Sequence, residues 1–386
     1  MESQHKPLYL DQPEATSRFL ATIADVPAIA LDTEGASFHR FVDRIYLLQL
    51  STRDVSAIID PLAVTSLTEL GRLLVSPATE IVFHDADYDL RLLHQDYGWH
   101  VTNIFDTRIA AQLLGLKSIG LAALLEQYFG VKLDKKHQRA DWSVRPLTRS
   151  MLDYAAQDTM YLLQLREILK GALERLGRWE WVTEEFQRLE GTRWEPDTGG
   201  EATDDDANAF MRVKGARDLS RRALAIFREL ILWREAKARE LDRATFRVVG
   251  NEPLLAAAQR TPGTVAELES IKGMPRALLE RRGNEILDAI RRGQAVAEDS
   301  LPRFPKSQRW ERDPDFEPRV NALRSAREKA AQRLNLDPGV LCSREKLEAI
   351  ARKKPATLEE LSAIEGLRRW QVTELGTEFL KAGNRE

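Results

Sequence analysis

The chain has 386 residues, 43% of them apolar and 30% charged, with a net charge of −3. That length is too great for one ordinary domain, and the composition is that of a soluble globular protein. No stretch approaches the roughly 18 uncharged apolar residues of a membrane helix. The single cysteine, Cys342, excludes an intrachain disulfide framework and a cysteine-built metal cluster. The first residues lack a basic-then-apolar signal pattern, so the expected compartment is the cytoplasm, with no membrane partner.

The front third alternates two periodicities. AIALDTEG, IYLLQLST, VSAIIDPL and EIVFHDA read as strands, while SLTELGRLLV, YDLRLLHQDYG and DTRIAAQLLGL carry apolar residues at helical spacing. Strands interleaved with helices predict an α/β domain with a mixed sheet covered by helices. From Ser118 to Leu176 the pattern turns mainly helical, apart from a charged stretch at 132–149. The segment EPDTGGEATDDDAN after Trp194 is acidic and poor in apolar residues, which marks a linker. Beyond it the chain repeats itself. A gapless shift of 93 residues superposes Arg234 on Arg327, Leu254 on Leu347, Pro262 on Pro355, Gly273 on Gly366 and Gly283 on Gly376. Each copy holds P-x-T-x-x-E-L-x-x-I-x-G, a helix start, an apolar face and a glycine stop. The expected domains are therefore 1–194, 211–293 and 317–386, joined by linkers at 195–210 and 294–316.

Charge divides along the same lines. Residues 211–293 carry 18 basic and 11 acidic groups, and residues 301–386 carry 18 and 14, which leaves the first 210 residues near −12. An acidic front and a basic rear suit cations and a polyanion respectively.

Three elements of the front domain carry chemistry. Asp32 and Glu34 end an apolar strand, and residues two apart on a strand share a face, so both carboxylates point one way. Two such anions repel unless a cation lies between them. In EIVFHDADYDLRLL a strand meets a helix whose first turn is crowded with acids; Asp89 is the candidate to face inward, and Asp85 and Asp87 can equally be helix caps. In LDYAAQDTMYLLQL, Tyr154 and Asp158 are helical neighbours on a face shared with Met151 and Leu162. A carboxylate on a buried face needs a partner, which a metal would supply. Four carboxylates and a phenol form an oxygen-only set suited to magnesium or manganese.

The segments LDTEG, FHDADYDL and LDYAAQDTMYLL resemble the three motifs of the DEDD superfamily of 3′→5′ exonucleases, and a tyrosine four residues before the last aspartate resembles its tyrosine subclass. LDKKHQRADWSVRPLT, running into the third motif, is similar to the ribonuclease D family, and both repeats resemble the HRDC domain. The resemblance implies a ribonuclease H-like mixed-sheet exonuclease domain followed by two all-α HRDC-type domains. It implies Asp32, Glu34, Asp89 and Asp158 as metal ligands and Tyr154 as the residue that positions the attacking water. The cofactors would be two divalent ions, Mg2+ or Mn2+. The expected activity is hydrolysis of RNA from its 3′ end to nucleoside 5′-monophosphates, on tRNA precursors and other small structured RNAs, with no obligate protein partner evident. The acids at Asp85 and Asp87 depart from the small or polar residues often found there, which leaves open which aspartate is the ligand.

A threaded strand needs cations and stacking aromatics. The stretch before the third motif offers Lys135, Lys136, Arg139, Trp142 and Arg145 as RNA contacts; it reads equally as a basic surface loop with Trp142 anchored in the core. His84, at a strand end, is either a phosphate contact or structural.

Overall fold

The computed structural model describes residues 6–64, 66–134, 136–194, 209–305 and 313–383. Six strands form one sheet: β1 (Leu8–Leu10), β2 (Ala28–Glu34), β3 (Leu47–Ser51), β4 (Ser56–Ile59), β5 (Glu80–Phe83) and β6 (Ile104–Asp106). Their order is β1-β4-β3-β2-β5-β6. The pairs β2–β3 and β3–β4 are antiparallel and the other three pairs are parallel, so the sheet is mixed, as the sequence predicts. β2 and β3 lie at its centre and are covered on both faces, which is why they read as nearly unbroken apolar runs.

Among the described residues, eight helices accompany the sheet: α1 (Pro13–Thr22), α2 (Thr68–Leu74), α3 (Asp87–Tyr97), α4 (Thr107–Leu113), α5 (Leu121–Phe129), α6 (Arg149–Met160), α7 (Leu162–Arg175) and α8 (Trp179–Leu189). One apolar layer gathers α1, α2 and α3 against Ile29, Leu31 and Phe83; the other gathers α4, α5, α7 and α8 against Ala30, Val82 and Phe105. α6 lies across β2, β3 and β4. A buried bond of 2.7 Å between Ser51 Oγ and Thr159 Oγ1 fixes it to β3.

Both repeats fold alike. Each has a long first helix (Arg221–Glu240; Phe316–Leu334) packed on a long last one (Arg276–Ala295; Arg369–Gly383). Arg234 donates to the Val249 carbonyl, and Arg327 donates to the carbonyl of Cys342, the matching position. Thr264 and Thr357 each cap a short helix, while Glu267 and Glu360 reach back to the N–H groups of Gly263 and Ala356. This reciprocal cap is what the repeated P-x-T-x-x-E encodes.

The chain forms two compact units, 1–34 with 45–194 and 310–386, and 35–44 with 195–309. The second repeat thus belongs to the body of the α/β domain. Its Trp370 ring stacks on Trp181 of α8 at 5.0 Å, and Glu185 accepts from both Arg368 and the Trp370 indole. Arg178 donates to the carbonyls of Leu113 and Leu334. Gly115 is needed at this seam, because its φ is +78° and a Cβ there would stand 2.0 Å from the Asn335 carbonyl oxygen.

Candidate active site

Asp32 and Glu34 sit on the last residues of β2 and project from one face, with Thr33 between them turned to the other. α6 brings up Asp158, and carboxylate oxygens of Asp32, Glu34 and Asp158 lie within 4.8 Å of one another. Asp89 enters from the first turn of α3. It is 5% exposed, and its Oδ1 accepts from the Thr33 N–H (2.9 Å) and hydroxyl (2.6 Å). Tyr154, one turn before Asp158, is bracketed by His137 edge-on at 5.8 Å and by Trp142 at 6.1 Å.

The electrostatics follow from putting four acids where water is scarce. Burial, then Asp89, Asp158 and Glu34, hold the Asp32 carboxyl well above its ordinary range. Burial, then Asp158 and Asp89, do the same for Glu34 against a 3.4 Å hydrogen bond from Gln49. Burial pushes Asp158 up to about 7, and Asp89 to about 7 despite its bonds to Thr33. Four such groups cannot all ionise together unless positive charge joins them. Burial and then the charges of Asp158, Glu34 and Asp32 raise the Tyr154 phenol further above its usual value, so its proton is retained. The donor set is oxygen throughout, which fits a hard divalent cation.

The two extra acids of the second motif lie elsewhere. Asp87 pairs with Arg91 one turn on at 2.8 Å, and Asp85 pairs with Arg108. Their side chains are 55% and 57% exposed, against the buried Asp89, so geometry separates Asp89 from both.

Among the expected RNA contacts, two are corrected. Trp142 is 2% exposed and packs on Tyr154, so no base can stack on it. Arg145 is held by Asp60 (2.6 and 2.9 Å) and by the carbonyls of Trp142 and Tyr46, so its guanidinium is committed within the fold. Both hold the charged segment in place instead of gripping a strand. Lys136 and Arg139 are exposed, and Lys135 lies outside the described residues. His84 bonds to the Thr107 hydroxyl at 2.9 Å, and burial pushes its imidazole down to about 4; at neutral pH it meets any phosphate as a neutral ring.

Sequence reasoning missed the supports. Gln49 is fully buried opposite Asp32 in the β2–β3 register, and a glutamine inside LLQLS was the available signal. Asp106 caps α4 through the N–H groups of Arg108 and Ile109. It also accepts from Asp85 and Ala86 (3.2 and 2.8 Å), pinning the turn that leads into α3. Nothing local in IFDTRIA announces that second role.

Comparison with known proteins gives the same picture along the whole chain. A family model described as 3′–5′ exonuclease matches residues 8–174, and the HRDC domain model matches 223–290 and 316–382. A ribonuclease D of Granulibacter bethesdensis is 30% identical over 383 residues, 98% of this chain and 93% of that one. The ribonuclease D of Escherichia coli K12 is 33% identical over 291 residues, 75% and 76% of the two chains. Among solved structures, a protein from Bifidobacterium adolescentis superposes with a TM-score of 0.84 at 28% identity, covering 99% and 98%. Escherichia coli RNase D, described as an exoribonuclease involved in structured RNA processing, superposes at 0.72 and 26% identity, covering 97% and 98%.

Proposed function

The chain belongs to the ribonuclease D family of 3′→5′ exoribonucleases, and from that premise we propose that it releases nucleoside 5′-monophosphates from the 3′ ends of tRNA precursors and other small structured RNAs, using two divalent ions, Mg2+ or Mn2+. The observation that carries this reading is the cluster of Asp32, Glu34 and Asp158 oxygens within 4.8 Å, with Asp89 buried beside it. These four carboxylates would hold the ions. When bound, such ions lower the pKa of water and stabilise a leaving 3′-oxygen.

The chain's own residues do the rest. Thr33 fixes one oxygen of Asp89. Gln49 orients Glu34, and Asp106 fixes the approach of α3. The Tyr154 hydroxyl, one turn before Asp158 on α6, would orient the attacking water. Lys136 and Arg139 would guide the strand toward the carboxylates. Residues 1–194 form the catalytic domain in this reading, with HRDC domains at 211–293 and 317–386 and linkers at 195–210 and 294–316. Cytoplasmic action is consistent with the lone buried Cys342 and with the absence, among the described residues, of any helix long and apolar enough to cross a membrane.

The test is a time course on a 5′-labelled tRNA precursor with a short 3′ trailer, in magnesium, in manganese and in chelator, with Asp158→Asn and a DNA control alongside. A ladder that shortens one nucleotide at a time, and that requires both metal and Asp158, is the expected result. Binding without cleavage in either metal would sink the proposal.

A further inference from the structure

The rings around Tyr154 are anchored far from it in sequence. Trp142 and His137, whose rings stand 6.1 and 5.8 Å from that of Tyr154, both belong to the charged segment before α6. His137 is tied to the start of α6 by a 2.9 Å bond between its Nε2 and the Ser150 hydroxyl. Trp142 is tied to the sheet instead. Its carbonyl accepts from Arg145 Nη1 (2.7 Å), and the same guanidinium grips both oxygens of Asp60, from Nε (2.6 Å) and Nη2 (2.9 Å). Nη2 also donates to the Tyr46 carbonyl at 2.8 Å, while the Tyr46 N–H donates to the carbonyl of Glu34 at 2.8 Å. One guanidinium thus joins the backbone beside Tyr154 to the backbone that pairs with the end of β2.

Its acceptor, Asp60, directly follows β4 and is 2% exposed. Besides Arg145 it takes the Tyr9 hydroxyl of β1 (2.6 Å) and the Leu62 N–H (3.0 Å), so each carboxylate oxygen accepts two bonds. Burial opposes its ionisation, but the bonds from Arg145 and Tyr9 outweigh burial and hold the carboxyl below its ordinary range. Stability alone does not call for such a group, because desolvation of a buried ion pair offsets much of its attraction. What a bidentate, fully bonded pair supplies is a single orientation, which a lysine could not reproduce. Tyr9, Asp60 and Arg145 come from three separate stretches of chain, and their bonds end at Trp142, which packs on the phenol of the site.

We propose that Tyr9, Asp60 and Arg145 are positioning residues for the reaction: through Trp142 they fix the ring of Tyr154 and so aim its hydroxyl. The inference rests on the reading of Tyr154 as the group that orients the attacking water. It assigns to this buried ion pair an effect on the chemical step, separate from metal binding and from capture of the RNA.

The test uses the full-length protein with Tyr9→Phe, which removes one hydroxyl and leaves the ion pair in place, with Arg145→Lys, and with each of these combined with Tyr154→Phe. Hydrolysis of a short single-stranded RNA in magnesium gives kcat and KM, and calorimetric titration with Mn2+ gives metal affinity. Arg145→Lys is expected to lower kcat about tenfold or more, and Tyr9→Phe about threefold, since small misplacements remote from the chemistry are felt there. KM and Mn2+ affinity should stay within about twofold, the pattern of an interaction lost only in the transition state. In the Tyr154→Phe background, where no hydroxyl is left to aim, both substitutions should cost less than about twofold. A loss of the same size with and without the Tyr154 hydroxyl, an unchanged kcat in both single variants, or a loss confined to KM or to Mn2+ affinity overturns the positioning role and leaves the nuclease reading intact. Full activity of Tyr154→Phe, or no cleavage by the unaltered protein in metal, overturns instead the reading on which it rests.

Discussion

Arg234 and Arg327 make the same bond in two repeats that keep different company. The internal frame is held in common: a buried arginine on a carbonyl, a threonine–glutamate cap, and a glycine turn before the last helix. What differs is the surface at the start of that helix. In the second repeat it carries Arg368 and Trp370 and is sealed against α8; in the first it carries Pro275 and Ala277 and is exposed. A duplicated scaffold can therefore become part of a neighbouring core, or stay a free basic surface, through a handful of side chains while its backbone hydrogen bonds stay constant.

The strongest way to break this comparison is Trp370→Ala. Trp370 is 4% exposed and stacked on Trp181, so truncation leaves a cavity and should cost about 3–5 kcal/mol. The matching exposed position is expected to accept Ala277→Trp within about 0.5 kcal/mol. Denaturant midpoints measure both, and a second repeat indifferent to Trp370→Ala would show that its docking surface is incidental.

A smaller difference should appear at the paired glycines. A Cβ at Gly283 would meet Val265 Cγ2 at 2.9 Å, and one at Gly376 would meet Leu358 Cδ2 at 2.5 Å. Valine is branched at Cβ and cannot swing away, whereas Leu358 is 44% exposed and can. Gly283→Ala should therefore cost about 1–2 kcal/mol. Gly376→Ala should come out near neutral, since alanine regains up to about 1 kcal/mol of helix propensity. Equal shifts in melting temperature would contradict this.

The smallest effect is one of pH. Burial opposes ionisation of Glu285, but hydrogen bonds from Arg282, Trp233 and Lys237 outweigh it and pull the carboxyl down to about 2. Among the described residues, its counterpart Glu378 pairs with Arg333 alone, because the other partners correspond to Leu375, Ala326 and Ala330. A depressed carboxyl stabilises fully above its unfolded value near 4.5, and that stability is lost as pH falls from there through about 2. The network is a third exposed, so the loss should stay below about 1 kcal/mol. Glu285→Gln should flatten the acid limb of the first repeat's stability; an unchanged limb would mean that the network contributes nothing there.

The legible parts of the molecule were those set by local spacing. Asp32 with Glu34 and Tyr154 with Asp158 fell on one face each because strand and helix periods put them there. Thr264 and Thr357 announced their caps. β6 went unread, since three residues running straight into α4 give no separate periodicity. Arg145 looked like a free cation because Asp60, its partner, is 85 residues away. Asp87 pairs within its own helix, but the ion pair of Asp85 with Arg108 depends on how the turn before α3 meets the start of α4. The joining of the second repeat to α8 is equally tertiary: nothing near Trp181 or Trp370 says that the other exists.

Residues 35–44 leave β2 directly after Glu34, return at Ile45, and belong to the compact unit of the first repeat. There Asp242 takes the Arg40 guanidinium and the Phe41 N–H, the Ala244 N–H donates to the His39 carbonyl, and Phe38 meets Phe246 edge-on. In chain order the first repeat follows α8, yet it is built partly from the connection that leaves β2 after Glu34. A single peptide-bond break between Trp194 and Phe210 would therefore cut the polymer without dividing the protein. The amino-terminal fragment would still own a loop that the first repeat folds around, and the two pieces should leave a sizing column together.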